Sequence, residues 1–201
     1  MSSAQPTTRR SNQARSEATR AALMRVAREL FVNKGYAETG TPEIVAGAAV
    51  TRGALYHHFA DKTDLFRAVV QAEALAVAQH IESGTDDEQE PLESLLAGAG
   101  LYFEAMAVPG RTRLLLLDGP AVLGPLAMAR IDRDSGGASL REGLMAALGK
   151  QRSAKLPTQA LADMLSAGFD RAALAIADGA SAQDFVQALR FLLRAAVAAR
   201  V

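Results

Sequence analysis

The chain has 201 residues, of which 49% are hydrophobic and 22% charged, a composition typical of a folded globular protein and not of a disordered one. It has no cysteine, which excludes disulfide bonds, a thiol nucleophile and a cysteine-based zinc site. Its 22 basic and 22 acidic residues balance, so net charge neither favours nor excludes a nucleic acid partner.

Charge is unevenly distributed along the chain. Residues 1–67 hold ten Lys and Arg against six Asp and Glu, a net charge of +4, and the remaining residues carry −4. This polarity is expected when only the first part of a protein meets a polyanion. The first residues are polar and basic, unlike a secretory signal, and no apolar run is long enough to span a membrane. We therefore expect a cytoplasmic protein without a membrane partner.

The first third of the chain begins with polar residues 1–15, which predict a flexible basic arm. From Ser16, apolar residues at helical spacing predict an amphipathic helix. Lys34 and Gly35 predict its end, because a basic last turn followed by glycine is a common helix terminus.

Three further helix starts follow within a short distance. Thr41 predicts a hydroxyl-capped start of a two-turn helix that carries a proline in its first turn. Thr51 predicts the cap of a second short helix over residues 52–59. Asp61 opens an acidic capping box and a longer helix that reaches about Ile81. Together these helices predict a compact three-helix domain over residues 16–66.

Residues 67–201 show only helical patterns. An acidic loop at 83–91 and a Gly- and Pro-rich break at 119–125 interrupt them. No strand-like alternation occurs in the chain, which predicts an all-α protein of about nine helices.

The segment from Thr39 to Phe66 contains a helix-turn-helix pattern. The short connection Ala49-Val50-Thr51 predicts that the two short helices cross steeply. Small residues at the start of the second helix let it enter a major groove, and Arg, Tyr and His supply contacts to bases and phosphates. The predicted outward face consists of Arg52, Gly53, Ala54, Tyr56, His57 and His58.

This segment resembles the DNA-binding domain of the TetR family of transcriptional regulators. The resemblance covers roughly the first third of the chain and is strongest in Gly53-Ala54-Leu55-Tyr56-His57-His58-Phe59, followed by Asp61-Lys62. It implies phosphate contacts from Thr41, Tyr56, His58 and Lys62, the last at a helix N-terminus. It implies contacts with base edges or the groove wall from Arg52, Gly53, Ala54 and His57, with Thr51 at the head of the same surface.

Two positions depart from the family pattern. Ala49 stands where members often have glycine, which makes a left-handed turn about 1 kcal/mol more costly. Pro42 stands where members often have a polar or basic residue, which removes a base contact from that helix start. His57 and His58 are adjacent on a helix and point about 100° apart, so no metal site is predicted.

The two C-terminal helices predict a homodimer. Residues 158–178 and 181–200 carry more apolar surface than one core-facing stripe requires. Two such helices from each protomer can form a four-helix bundle, and a dimer places two recognition helices about 34 Å apart for a palindromic operator in double-stranded DNA. The candidate interface residues are Leu161, Leu165, Phe169, Leu189, Leu192, Leu193 and Val197.

The middle helices predict a pocket for a small-molecule effector. Methionine and aromatic side chains suit an irregular apolar cavity, although any helix bundle also needs them for its core. The candidates are Tyr102, Phe103, Met106, Leu115, Met128, Met145 and Phe169, with Glu104, Arg113, Asp118 and Asp132 as polar anchors or ordinary surface pairs. Residues 67–201 thus form the predicted ligand-sensing and dimerisation domain.

The resemblance to the TetR family implies a repressor, and we expect a small-molecule effector to release it from its operator by tilting the long helix that starts at Asp61. One alternative is a DNA-binding activator or architectural protein without an effector. Another is a helical enzyme that uses Asp118, Asp132, Asp134 and Glu142. The sequence offers no nucleophile–base pair, metal-ligand spacing or phosphate-binding loop, so we expect no catalytic residues and no cofactor.

Overall fold

The computed structural model describes residues 7–85 and 89–198, with the side chains of residues 7–11 and 136–138 left aside. The described residues are helical and contain no strand, which confirms the all-α prediction. The chain divides into two compact units, Met1–Val70 and Gln71–Val201, called unit 1 and unit 2 below. This boundary lies a few residues beyond the predicted one at residue 66.

Unit 1 holds the first helices, and the fourth begins in unit 1 and ends in unit 2. Their bounds are α1 Thr7–Lys34, α2 Thr41–Gly47, α3 Arg52–His58 and α4 Lys62–Gly84. The remaining helices are α5 Pro91–Met106, α6 Arg111–Arg113, α7 Gly119–Leu123, α8 Pro125–Asp132, α9 Ala138–Leu148, α10 Lys150–Ser153, α11 Thr158–Ala177 and α12 Ala182–Ala198. Two π-helical turns, Leu114–Asp118 and Arg133–Gly137, join α6 to α7 and α8 to α9.

Helix α1 begins earlier than the sequence predicts. It starts at Thr7, whereas the apolar periodicity places the start at Ser16. Residues 7–15, assigned to a flexible arm, are therefore helical, and residues 1–6 of that arm lie outside the described residues. The periodicity missed this part because the first turns of α1 carry no apolar stripe to bury.

The helix caps follow the sequence at most positions. The Thr51 hydroxyl accepts a 3.2 Å hydrogen bond from the Ala54 N–H, which confirms the predicted cap of α3. Asp61 likewise accepts from the Asp64 N–H at 2.7 Å and caps α4. Thr41 is the exception: it is the first helical residue, and Gly40 precedes α2 as its N-cap.

The core of unit 1 is built from the apolar stripes of α1 and α4 and from one anchor in each short helix. Phe31 and Phe66 meet edge to face, with ring centroids 5.1 Å apart. Ile44 of α2 and Leu55 of α3 are fully buried. Helix α2 approaches α1 so closely that a Cβ at Gly47 would lie 2.7 Å from Val26 Cγ1. This packing holds α3 against the domain by its inner face only.

In unit 2, the apolar faces of α5, α9, α11 and α12 enclose a core. Its buried members are Leu95, Leu96, Leu144, Leu148, Ala162 and Leu193. Leu161, Leu165 and Val197, predicted for a dimer interface, are partly buried against this same core. Leu189 and Leu193 are only 8% and 1% exposed, so they also belong to the interior of the protomer.

The Gly- and Pro-rich stretch at 119–125 forms helices instead of a simple break. Pro125 lies in the first turn of α8, where a missing N–H costs nothing. Pro120 lies in the first turn of α7, which continues directly from the π-helical turn Leu114–Asp118. Gly124 separates the two helices with φ of 83°, a conformation that favours glycine.

None of the helices in residues 7–85 and 89–198 combines the length and apolar character needed to cross a membrane.

Candidate DNA-binding surface and ligand cavity

Helix α3 presents the residues that the sequence assigned to its outward face. Leu55 is fully buried, whereas Arg52, Gly53, Tyr56 and His57 are exposed. Ala54 and His58 are half-buried at the edges of this face. We call the exposed residues of α3, together with Thr41 and Thr51, the α3 surface. The surface is polar and basic, and a single apolar residue anchors it.

Three of its residues lie close together. Interactions with the side chains of Arg52 and then Thr41 hold the pKa of the exposed Tyr56 phenol below its ordinary value. The guanidinium carbon also lies 5.5 Å from the centre of the Tyr56 ring. The starts of α2 and α3 therefore place several hydrogen-bond donors at one point, which suits a phosphate oxygen.

The two histidines of α3 border a shallow groove between α3 and α1. His57, His58 and Ala54 line one side, and the other side is formed by Asn12, Arg15, Ser16 and Thr19. Burial, followed by the charges of His57 and Arg20, lowers the pKa of His58. Because a lowered pKa favours the neutral imidazole, His58 can donate one hydrogen bond without adding a positive charge to the groove. The groove also brings Arg15, predicted to lie in a basic arm, next to the α3 surface.

The Lys62 side chain is engaged within unit 1. Its ammonium donates hydrogen bonds to the backbone carbonyls of Tyr36 and Thr39, at 2.9 and 3.0 Å. It also lies 4.2 Å from the centre of the Tyr36 ring. These contacts tie the start of α4 to the turn between α1 and α2, so the side chain supports the fold. The phosphate contact that the resemblance implies for Lys62 stays a prediction.

The turn between α2 and α3 contains a strained residue. Ala49 has a φ of 52°, and it is the single non-glycine residue with positive φ among the described residues. The left-handed conformation costs roughly 1–2 kcal/mol for a residue with a Cβ. The turn is therefore made as the sequence predicts, and the substitution of alanine for the family's glycine carries an energetic penalty.

Unit 2 encloses a cavity of about 620 Å³. This volume is within the range of about 300–1,000 Å³ typical of sites for drug-sized ligands. Its walls come from α4, α5, α8, α9 and α11 and from the turns between them, and they are mostly apolar. Five of the predicted pocket residues line it, namely Tyr102, Met106, Leu115, Met128 and Phe169.

Two predicted pocket residues lie outside the lining. Phe103 is buried behind the wall, with its ring centroid 6.0 Å from that of Phe169. Met145 is on the outer side of α9 and 37% exposed. Phe169, which the sequence also placed in the dimer interface, is buried in the cavity wall. The type of a residue alone does not show whether its side chain lines the cavity, lies behind the cavity wall or faces away from it.

The polar part of the lining includes residues that sequence reasoning missed. The Tyr102 hydroxyl donates a 2.8 Å hydrogen bond to the Asp170 carboxylate. Asp163, which was also missed, lines the same cavity, and so does Asp132, which the sequence analysis named as a possible polar anchor. A sequence pattern was present, because Asp163 and Asp170 are seven residues apart and thus share one face of an otherwise apolar helix.

The other predicted anchors are paired outside the cavity. Arg113 and Asp118 form an ion pair at 3.2 Å, and Glu104 faces His80 at 3.6 Å.

A buried ion pair also links α4 to α6 within unit 2. The Arg111 Nε donates to the Glu73 carboxylate at 2.8 Å, and both side chains are about nine-tenths buried. Arg111 also donates to the Ala105 carbonyl at 2.7 Å, one residue before the cavity-lining Met106. The pair therefore joins α4 to a segment that lies between the lining residues Met106 and Leu115 in the chain.

The outer faces of the last two helices are apolar. Met164 of α11 is 74% exposed, and Phe191 and Leu192 of α12 are 73% and 56% exposed. Large apolar side chains exposed to this extent on adjacent helices are unusual in a monomer. Of the predicted interface residues, Leu192 alone belongs to this exposed face.

Two family models match the chain, one in each unit. The model described as bacterial regulatory proteins of the tetR family matches residues 23–69. The model of the tetracyclin repressor-like C-terminal domain matches residues 92–197, more than half of the chain. The first contains the whole α3 surface, and the second contains most of the residues that line the cavity.

Similar proteins support this assignment. A TetR-family transcriptional regulator from Pectobacterium atrosepticum is 31% identical, with a TM-score of 0.64 over 94% of this chain and 98% of that one. LfrR from Mycobacterium smegmatis, solved in complex with proflavine, is 20% identical, with a TM-score of 0.61 over 89% of this chain and 95% of that one, and shows the fold alone. The transcriptional activator FasR from Mycolicibacterium smegmatis is 29% identical over 61% of this chain. The matched part of the chain spans 56% of the length of FasR. It spans less than half of the length of the other curated relatives, such as BepR and AcrR. From the model that matches residues 92–197 and the Pectobacterium structure, we conclude that this chain belongs to the TetR family of bacterial regulatory proteins.

Proposed function

We propose that the protein is a dimeric transcriptional regulator that binds a palindromic operator through α3 and acts in the cytoplasm, where the operator is. The observation that carries the proposal is the α3 surface itself. Near its start Gly53 is exposed, and a Cβ at this position would meet nothing inside the protein closer than Thr51 Oγ1 at 3.8 Å. The glycine has no packing role in the protein, which fits a helix end that approaches DNA closely.

The second element of the proposal is a homodimer formed by the outer faces of α11 and α12. Met164, Phe191 and Leu192 would be buried between two copies, with the exposed Gly168 of α11 allowing close approach. A twofold axis would duplicate the α3 surface, and two such helices about 34 Å apart fit successive major grooves on one side of the duplex.

The third element is an effector in the cavity of unit 2. A ligand that prefers the conformation unable to span both half-sites lowers operator affinity by its differential affinity for the two conformations. LfrR has the same fold and was solved in complex with proflavine, which supports a small molecule as the effector. Helix α4 connects the two functions, because it starts beside the α3 surface and its later turns line the cavity.

We further propose that operator binding represses transcription. The C-terminal family model is described as tetracyclin repressor-like, which supports this direction. FasR, a relative, is named an activator. A reporter gene placed behind the selected operator distinguishes the two directions, because deletion of the regulator raises expression under repression and lowers it under activation.

The direct test is selection of bound fragments from genomic DNA, followed by fluorescence anisotropy titration on the selected sequence. We expect a twofold-symmetric site and an affinity that falls steeply with salt, as phosphate contacts require. Arg52→Ala should weaken binding by about 10- to 100-fold, the range of one base or phosphate contact. Arg25→Ala removes the same charge from an exposed i, i+4 pair with Glu29 on α1 and serves as the control. Salt-independent binding, or equal losses in both variants, would contradict the proposal.

A further inference from the structure

The cavity of unit 2 has an unbalanced charge. Its lining includes the acidic residues Glu82, Asp132, Asp163 and Asp170. Among the described residues that line it there is no Lys, Arg or His. An apolar cavity with several carboxylates and no cation of its own is an environment that attracts a positive charge from outside.

Two of these acids accept hydrogen bonds from neutral groups of the described residues. Asp170 accepts from the Tyr102 hydroxyl at 2.8 Å, and Asp163 accepts from the Gln159 side-chain amide at 2.9 Å. Within the described part of the chain, no lysine or arginine forms an ion pair with Asp132, Asp163 or Asp170. Asp170 is half-buried, and a half-buried carboxylate without a cation is costly to the fold, so a role in binding explains why the cost is tolerated.

The pKa values follow from this arrangement. Burial raises the pKa of Asp170, the Tyr102 hydroxyl opposes the shift, and the charge of Asp132 adds to it. Asp132 keeps solvent-accessible surface, yet the protein around its carboxyl group raises its pKa, with Arg133 opposing and Asp163 reinforcing. The carboxylates therefore repel one another, and a cation placed among them would relieve that repulsion.

The remaining wall suits the apolar body of such a cation. The rings of Tyr102 and Phe169 lie 5.5 Å apart beside the acids, and Met106 and Leu115 extend the apolar surface. Aromatic faces attract cations, and methionine adapts to irregular ligands.

We propose that the cavity selects organic cations, with the charged centre held by Asp132 and Asp170 and an aromatic or alkyl body against Phe169, Met106 and Leu115. This inference rests on the proposed function, since it names the chemical class of the effector of that same cavity. Anions and neutral molecules of the same shape would lack the electrostatic contribution and, in the case of anions, meet repulsion.

The test uses two pairs of probes that differ in charge and hardly in shape, titrated calorimetrically into the full-length protein without DNA. Tetraphenylphosphonium is compared with tetraphenylborate, and phenyltrimethylammonium with neutral tert-butylbenzene. We expect saturable binding of at least one cation, about tenfold or more tighter than its partner, equivalent to about 1.4 kcal/mol. Equal or tighter binding of the neutral or anionic partners, or no binding of either cation, would overturn the proposal.

Single substitutions test which carboxylates are responsible for the preference for cations. Asp132→Asn and Asp170→Asn keep the side-chain shape and should each weaken cation binding by about tenfold, while leaving any binding of tert-butylbenzene unchanged. Asp178→Asn, which removes an exposed carboxylate beyond the end of α11 and outside the lining, is the matched control and should leave both affinities unchanged. Equal effects of Asp178→Asn and Asp170→Asn would show a general effect of net charge and would contradict the assignment.

DNA binding is measured separately on the selected operator. If neither cation binds while operator binding is intact, the inference fails and the proposed DNA-binding function stands. If a cation binds with the expected selectivity but operator binding is absent, the cavity assignment stands and the regulator function fails.

Discussion

The Lys62 ammonium donates a 2.9 Å hydrogen bond to the backbone carbonyl of Tyr36 and lies 4.2 Å from the centre of that residue's ring. With the second bond to the Thr39 carbonyl, the side chain joins α4 to the turn that leads into α2. A lysine beside a proposed DNA-binding surface is thus engaged within the protein. Its contribution to DNA binding is expected to be indirect.

This relationship predicts the effect of Lys62→Met, which keeps the length of the side chain and removes the donors. Two carbonyls lose their partner, so we expect a loss of about 1–3 kcal/mol in the free energy of unfolding, measured by urea denaturation. The dependence of operator affinity on salt should stay the same below the unfolding range. Lys34→Met, which breaks an exposed pair with Glu43, is the control and should cost less. A flatter salt dependence in Lys62→Met would instead show a direct phosphate contact.

The strained turn at Ala49 predicts a gain in stability from Ala49→Gly. Glycine adopts the observed φ of 52° without a steric penalty, and part of that gain is offset by greater freedom in the unfolded chain. We expect a net stabilisation of about 0.5–1 kcal/mol in denaturant unfolding. Ala46→Gly, at an exposed position within α2, has ordinary helical geometry and should lose about 1 kcal/mol. Losses in both variants would mean that the turn is not strained.

Substitution of Gly53 is expected to change stability and DNA binding in opposite directions. Because a Cβ at this position meets nothing in the protein closer than 3.8 Å, Gly53→Ala should raise the free energy of unfolding by up to about 1 kcal/mol through helix propensity. The same methyl group would lie between the helix and the groove, so operator affinity should fall by about tenfold or more. Unfolding and anisotropy measurements on one preparation test both effects. An unchanged affinity would place the start of α3 away from DNA.

The buried pair of Glu73 and Arg111 predicts non-additive effects on stability. Arg111→Met alone removes the guanidinium from a buried carboxylate and should cost about 3–5 kcal/mol. Adding Glu73→Leu removes that charge and should recover a large part of the loss. A double-mutant cycle in guanidinium unfolding measures the coupling. Additive losses would show that the two side chains contribute independently, against the 2.8 Å contact.

The raised pKa of Asp132 predicts how stability depends on pH. A carboxyl group whose pKa is higher in the folded state binds more protons there than in the unfolded state, so it lowers stability as pH rises through that window. Asp132→Asn should therefore be more stable than the parent at neutral pH. The difference should shrink as pH falls through the raised pKa of the folded protein toward the ordinary value for aspartate. Thermal unfolding from pH 4 to 8 measures it. A difference that is constant with pH would exclude this origin.

The local features of unit 1 could be predicted because short-range chemistry determines them. The Thr51 cap, the Asp61 cap and the outward face of α3 each depend on residues within one or two helical turns. Leu55 is the one large apolar residue in the middle of a short helix, so its burial fixes which residues face outward. The resemblance to the TetR family added roles to these residues.

Long-range contacts and the choice between two apolar faces could not be predicted. The carbonyls that engage Lys62 are 23 and 26 residues away in sequence, and no local pattern indicates them. Helix α12 has apolar residues on both sides, and only packing against α5 shows that Leu189 and Leu193 face inward while Phe191 and Leu192 face outward. Acids at positions 163 and 170 are equally typical of a solvated face until the cavity beside them is known.

The exposed apolar face of α11 and α12 has a thermodynamic consequence. If Met164, Phe191 and Leu192 are covered by a second copy, folding and association become one linked equilibrium, and mass action governs the population of the folded form. The thermal midpoint then rises with the total amount of protein, and dilution alone favours unfolding. For a regulator present in few copies, the number of copies then helps to determine how long the folded protein persists.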